Sequence, residues 1–141
     1  MSDFVGSALV CTADERVSAA VARAGYKATP APTCAEALPC VRHDHWSVIA
    51  LDASTGRETL AYLHSLPGAR RRDLFVVLFG DRFETGNRLQ AWSRSVDLVV
   101  HPDDGEHLRR QIADGLREKD EFYRRFRTLQ RDAGALLGAH A

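Results

Sequence analysis

Three short stretches of this sequence are apolar almost without a break: Ala8-Leu9-Val10-Cys11, Ser47-Val48-Ile49-Ala50-Leu51 and Leu74-Phe75-Val76-Val77-Leu78-Phe79. A fourth, Val96-Asp97-Leu98-Val99-Val100, follows after a short gap. Continuous rather than alternating apolarity, with β-branched residues prominent, marks strands covered on both faces, the condition of a parallel sheet flanked by helices. A weaker segment from Tyr26 to Ala31 reads as an edge strand, because Pro30 and Pro32 are hard to place in a central ladder. The total is five strands.

Helical patterns lie between these runs, and three of them open on cap signals. Thr12-Ala13-Asp14-Glu15, Thr33-Cys34-Ala35-Glu36 and Thr55-Gly56-Arg57-Glu58 each match the capping box, in which a hydroxyl and a glutamate satisfy each other's orphan amides. Helices are therefore expected directly after the first three strands. In the first, Val17, Ala20, Val21 and Ala24 form a stripe that stops at Gly25, a natural C-cap residue. In the second, Pro39 falls inside the helix and is expected to distort or shorten it. The third carries Leu60, Leu63 and Leu66 and ends at Pro67-Gly68. A short fourth spans about Asn87 to Ser93, with Leu89 and Trp92 as its apolar residues. The basic run Arg70-Arg71-Arg72 reads as a solvated loop, or as a contact for an acidic partner.

The last helix differs in kind, since no proline interrupts the chain from about Gly105 to about Leu137. Leu108, Ile112, Leu116, Phe122, Phe126, Leu129, Ala133 and Leu136 recur at three- and four-residue steps, the seam of one apolar face. Such a helix reaches about 45 Å, far beyond the length of a short strand. Its distal half is expected to pack on something other than the sheet.

Alternating βα units imply right-handed crossovers and a doubly wound α/β sheet. In such sheets functional sites lie outside the carboxyl ends of the strands. The positions there are Thr12 and Ala13, Asp52, Phe79 and Gly80, and His101 with Pro102.

Bulk properties narrow the function classes. The 141 residues suit one domain, and 19 basic residues balance 19 acidic ones. A neutral chain has no global field for a nucleic-acid backbone or an anionic membrane, so neither is expected as a partner. Met1-Ser2-Asp3-Phe4 has no basic segment followed by an apolar run, and no stretch has the length of a membrane span, so a cytoplasmic location is expected. Three cysteines, Cys11, Cys34 and Cys40, are an odd count that suits reduced thiols. Cys34, Cys40, His43 and His45 fit no closed zinc pattern, and no metal or other cofactor is expected.

The (βα)5 rhythm, the aspartate closing Ile49-Ala50-Leu51-Asp52 and the strand end Val99-Val100-His101-Pro102 make residues 7–119 resemble the receiver domain of response regulators. The resemblance implies a flavodoxin-like parallel five-stranded sheet in the order 2-1-3-4-5. Residues 1–119 would be the receiver-like domain, and residues 120–141 an extension of the last helix with a short tail. It aligns Asp52 with the family's phosphoacceptor. The two acids that hold Mg²⁺ in the family fall on Thr12 and Ala13, the switch hydroxyl on Phe79, and the lysine of the Lys-Pro pair on His101. The loop Ala53-Ser54-Thr55-Gly56 is shorter than the family's and lacks its Met-Pro. Fold is retained and chemistry is depleted.

Mg²⁺ is held through carboxylates and phosphate oxygens, and Thr12 and Ala13 supply no charge. Asp14 and Glu15 fall in the first helical turn, where capping and the helix dipole are their simplest roles. Mg²⁺ enters only if one of them reaches Asp52. Without metal and lysine Asp52 is a slow phosphoryl acceptor, and its plainer role is to cap the turn that follows. His101 binds an anion only when protonated, and otherwise fills the lysine's place. The His101-Pro102 bond is a candidate cis peptide, as the family's Lys-Pro bond commonly is. The expected function is that of a pseudo-receiver: signal transduction through protein–protein contacts, without turnover of a substrate. Phe122, Tyr123, Phe126 and Leu129 are the expected anchors of a homodimer. Two alternatives stand beside it, a true receiver phosphorylated on Asp52 and a small-ligand or nucleotide module at the same strand ends. No glycine-rich phosphate loop supports the second.

Overall fold

The computed structural model describes residues 4–138, with side chains placed through Ala135. Residues 1–3, part of the segment read above for a leader, and the side chain of Leu136 in the seam lie outside the described residues. Chain order is β1 (Gly6–Cys11), α1 (Glu15–Arg23), β2 (Tyr26–Pro30), α2 (Cys34–His43), β3 (Val48–Asp52), α3 (Arg57–Ser65), α4 (Gly68–Arg72), β4 (Phe75–Phe79), α5 (Arg88–Ser93) and β5 (Leu98–Val100). A 3-10 segment, Pro102–His107, then leads into α6 (Leu108–Gly138). The five strands form one parallel sheet in the order β2-β1-β3-β4-β5, with the proline-bearing β2 at an edge.

Successive residues of a strand point to opposite faces, and both faces here are covered. Phe75, Val77 and Phe79 join Val10, Val17, Val100, Leu108 and Ile112 under α1 and α6. Val76 and Leu78 join Leu9, Ile49, Leu51, Val41, Leu63 and Ala91 under α2, α3 and α5. This double coverage is why the strands read as unbroken apolar runs.

Several local expectations need correction. Of the three capping boxes, only Thr33 caps as read, its hydroxyl accepting from the Glu36 amide at 3.2 Å. The cap of α1 is Asp14, two residues later, because its carboxylate takes the Arg16 amide at 2.9 Å and leaves Thr12 outside the helix. Before α3 the Asp52 carbonyl accepts from the amides of Thr55 (3.3 Å) and Gly56 (2.7 Å), and this tight turn leaves the helix start at Gly56 without a side-chain cap. Gly25 does follow α1 with φ +94°, the left-handed conformation that its lack of a side chain permits. Pro39 does not end α2, which runs on to His43. No cis peptide occurs among the described residues, so the His101-Pro102 bond is trans.

In α5, Ala91 is the buried residue, while Leu89 and Trp92 are 78% and 81% exposed. Arg70-Arg71-Arg72 is not a solvated loop but the end of helix α4, and each guanidinium is engaged. Arg70 donates to the Val41 and Arg42 carbonyls at 2.9 and 3.3 Å. Arg71 donates to the carbonyls of Leu74 and Ser95 and pairs with Asp97 at 3.3 Å. Arg72 lies over the Tyr123 ring, 5.1 Å from its centroid.

The final helix begins at Leu108 rather than at Gly105, since Asp104 (φ −116°, ψ 33°) interrupts the turn before it. Leu108 and Ile112 are buried against the sheet. Gly115 crosses Phe75 so closely that a Cβ there would stand 2.6 Å from the ring. Four residues on, the Lys119 ammonium donates to the Leu74 carbonyl at 2.6 Å and pairs with Asp97 at 3.2 Å. Burial pushes the Lys119 ammonium below its usual pKa, with Asp97 opposing the shift. Asp97 also accepts from the Val76 amide at 2.8 Å, so one carboxylate ties α6, α4 and the start of β4 together.

Candidate functional site

The carboxyl ends of the strands carry an open cavity of about 400 Å³ around Asp52, the last residue of β3. Asp52 uses both carboxylate oxygens. Oδ1 accepts from the amide and the hydroxyl of Ser54, each at 2.8 Å, and Oδ2 accepts from the Thr12 hydroxyl at 3.3 Å. Thr12 is buried just past β1, and its oxygen in turn accepts from the Asp14 amide at 3.0 Å. The pattern is that of an aspartate closing its own turn, with one added tether to the first loop.

Asp14 reaches the same cavity, but Arg16 claims its carboxylate. Arg16 donates its amide and Nε to Oδ1 at 2.9 and 3.2 Å, and a terminal guanidinium nitrogen to Oδ2 at 2.9 Å. These bonds from Arg16 hold the Asp14 carboxyl below its usual pKa. The guanidinium also reaches Asp103 at 3.0 Å and Asp81 at 3.7 Å, and so joins the loops after β1, β4 and β5. Glu15 is exposed and does not line the cavity.

Other positions read from the sequence are dispersed. Gly80 and Pro102 line the cavity with Asp52. Ala13 is exposed outside it, and Phe79 is fully buried on the α1 and α6 face of the sheet. His101 turns to its own loop, where Nδ1 accepts from the Asp103 amide at 3.1 Å, while its backbone amide donates to the Thr85 hydroxyl at 2.9 Å. Among the described residues no cluster of three or more His, Cys, Asp or Glu side chains is arranged to hold a metal.

Sequence reasoning missed the arginines. Arg16, Arg57, Arg82 and Arg94 all line the cavity, from α1, α3, the β4–α5 loop and the residue after α5. Only the Asp-x-Ser spacing of Asp52 and Ser54 signalled a local turn, and nothing in the linear order signals the convergence of these four.

At the other end of the molecule the seam of α6 divides. Phe122 and Leu129 are 63% and 66% exposed, and Phe126 is also exposed. Tyr123, expected as a fourth anchor, is half-buried instead, held by Arg72 and edge-on to Phe122 at 5.3 Å. Pairs one turn apart, Arg124 with Asp120 at 3.0 Å and Arg125 with Glu121 at 2.9 Å, support the exposed stretch.

No family model and no curated protein matches the chain. Solved structures do. A Francisella response regulator receiver domain is 16% identical with a TM-score of 0.61, covering 80% of this chain and 98% of its own. A CheY-like receiver domain protein from Methanospirillum hungatei is 17% identical with a TM-score of 0.61, covering 82% and 96%. A yeast Spc42 trimeric coiled coil fused to another protein is 17% identical with a TM-score of 0.63 and matches over 100% of both chains. At these identities the likeness establishes the CheY-like, flavodoxin-type fold that the strand order already displays.

Proposed function

We propose that this chain is a receiver-type signalling domain that acts through protein contacts, without efficient Mg²⁺-dependent aspartyl phosphorylation. The observation that carries this reading is the state of the crest carboxylates: Asp52 is hydrogen-bonded by Ser54 and Thr12, and Asp14 is gripped by Arg16. Mg²⁺ needs oxygen ligands in near-octahedral array, and stripping Asp14 from Arg16 to supply one forfeits charge-assisted hydrogen bonds. Intact-mass measurement after incubation with acetyl phosphate and Mg²⁺ tests it. The expected mass is unchanged; a stable added phosphoryl group that disappears in Asp52→Ala overturns the proposal and restores a working phosphoacceptor.

The proposed contact surface is the distal part of α6, residues 120–138, beyond the receiver-like domain, with a second copy of the chain as its first partner. Exposed Phe122, Phe126 and Leu129 follow one another at four- and three-residue steps and so line one face of the helix as a continuous apolar strip. The match to a chain carrying a trimeric coiled coil supports a helical mode of association. Replacing all three residues with serine leaves Lys119 and Tyr123 on their own domain, so the fold is expected to persist. Light scattering is then expected to fall from an oligomer to the monomer mass, and an unchanged mass counts against self-association through this helix. No helix among the described residues is long and apolar enough to cross a membrane.

A further inference from the structure

Helix α6 keeps one seven-residue repeat, and the surroundings of that repeat change halfway along. Leu108, Ile112, Gly115 and Lys119 follow one another at steps of four, three and four. All of them meet the chain's own domain: two apolar side chains buried against the sheet, the glycine on Phe75 and the ammonium on Asp97. The same steps continue through Phe122, Phe126, Leu129 and Ala133, and these four are exposed. One stripe is therefore covered by the domain as far as Lys119 and bare among the described residues beyond it. In heptad terms the bare residues alternate between the two core positions, d and a, and Arg125 and Asp132 both take the flanking g position.

We infer that distal α6 pairs with distal α6 of a second copy in the antiparallel sense, about a two-fold axis between Arg127 and Thr128. This pairing rests on the self-association already proposed and gives it an orientation and a register. Core positions a and d then face each other: Phe122 of each copy packs beside Ala133 of the other, and Phe126 beside Leu129, so the largest residue meets the smallest. Arg125 of each copy faces Asp132 of the other, which places two pairs of opposite charge across the axis. Arg125 uses one terminal nitrogen on Glu121, so its fork keeps donors for that carboxylate. Sliding the helices by one heptad sets Arg125 against Arg125 in one direction and Asp132 against Asp132 in the other. A parallel pair sets Phe126 on Phe126 and Ala133 on Ala133, and puts Gln130 instead of an acid across from Arg125. Size and charge thus select the same arrangement.

Sedimentation equilibrium of the full chain at low, constant ionic strength tests the pairing through charge swaps. The wild type is expected to reach twice the monomer mass. Arg125→Asp and Asp132→Arg are each expected to weaken the dimer about tenfold, because either change sets like charges opposite each other twice across the axis. Arg125→Asp combined with Asp132→Arg is expected to restore it. An equimolar mixture of the two single variants is expected to restore it as well, since every facing pair is then of opposite sign. That mixture carries whatever helix the single changes lose, and so separates pairing from folding. A trimer mass, association that neither single change weakens, or a mixture that stays as weak as its components overturns the antiparallel register and leaves the contact surface standing. A wild type that is monomeric at every concentration overturns both.

Discussion

Asp97→Ala is expected to lower the stability of the fold by about 3–5 kcal/mol, the loss typical of removing one partner from a buried ion network. Side chains of Asp97, Lys119 and Arg71 are each a fifth exposed or less, so water compensates little when the acid is gone. Three groups lose their partner together. The Val76 amide is left without its acceptor, Lys119 keeps only the Leu74 carbonyl, and Arg71 keeps only carbonyls. Asp97→Asn retains an acceptor for Val76 and is expected to fall between wild type and alanine. The pH dependence follows from Lys119, whose folded pKa lies below the unfolded value of 10.5. At this site the folded state therefore binds fewer protons than the unfolded chain between the two values, so the contribution of Lys119 to stability rises with pH there. The buried Cys11 thiol and Tyr26 phenol act against it, since their raised pKa values make their contributions fall with pH in both wild type and variant. Loss of Asp97 removes a force that raises the lysine pKa, so the window widens and the variant recovers part of its deficit towards pH 10.5. Urea denaturation at neutral and alkaline pH measures both effects. A loss below about 1 kcal/mol with no alkaline recovery would mean that the cluster behaves as an ordinary surface bridge.

The second large effect concerns the crossing of α6 over β4. Phe75→Ala is expected to cost about 3–5 kcal/mol, because a buried ring at the first position of β4 leaves a cavity under the helix. Gly115→Ala alone is expected to cost about 1–3 kcal/mol through overpacking, since its Cβ would lie 2.6 Å from that ring. In the Phe75→Ala background the same change removes no space that is needed, and alanine favours a helix over glycine by about 1 kcal/mol. The double variant is thus expected to be no less stable than Phe75→Ala alone. Additive losses in the thermodynamic cycle would show that the ring does not set the glycine requirement.

The layers of this fold were legible because the parity of the strands leaves a strong trace: Phe75 and Val77 face one layer, Val76 and Leu78 the other, and all are apolar. The long helix was legible from its seam, and its division was legible too, since Leu108 and Ile112 are covered and Phe122 and Leu129 are not. Capping was harder to read. Residue spacing alone cannot show that Asp14 outcompetes Thr12, or that the Asp52 carbonyl takes the amides of Thr55 and Gly56. A helix of six residues such as α5 has too little periodicity to reveal that Ala91, not Leu89 or Trp92, faces inward. At the crest, Asp52, Thr12 and Gly80 could be placed from the strand ends, whereas Phe79 was misplaced because one step in register sends a side chain through the sheet. Arginines distant in the chain meet only after the loops behind β3 and β4 have taken their shapes.

The clasp of Tyr123 by Arg72 has a mechanical consequence. Helix α6 leaves its domain already aimed, fixed at Lys119 and again one turn later, and the stretch from Arg124 to Gly138 projects as a stiff rod of about 20 Å. Whatever grips that rod is held at a set distance and bearing from the sheet, in the manner of an outrigger rather than a tether.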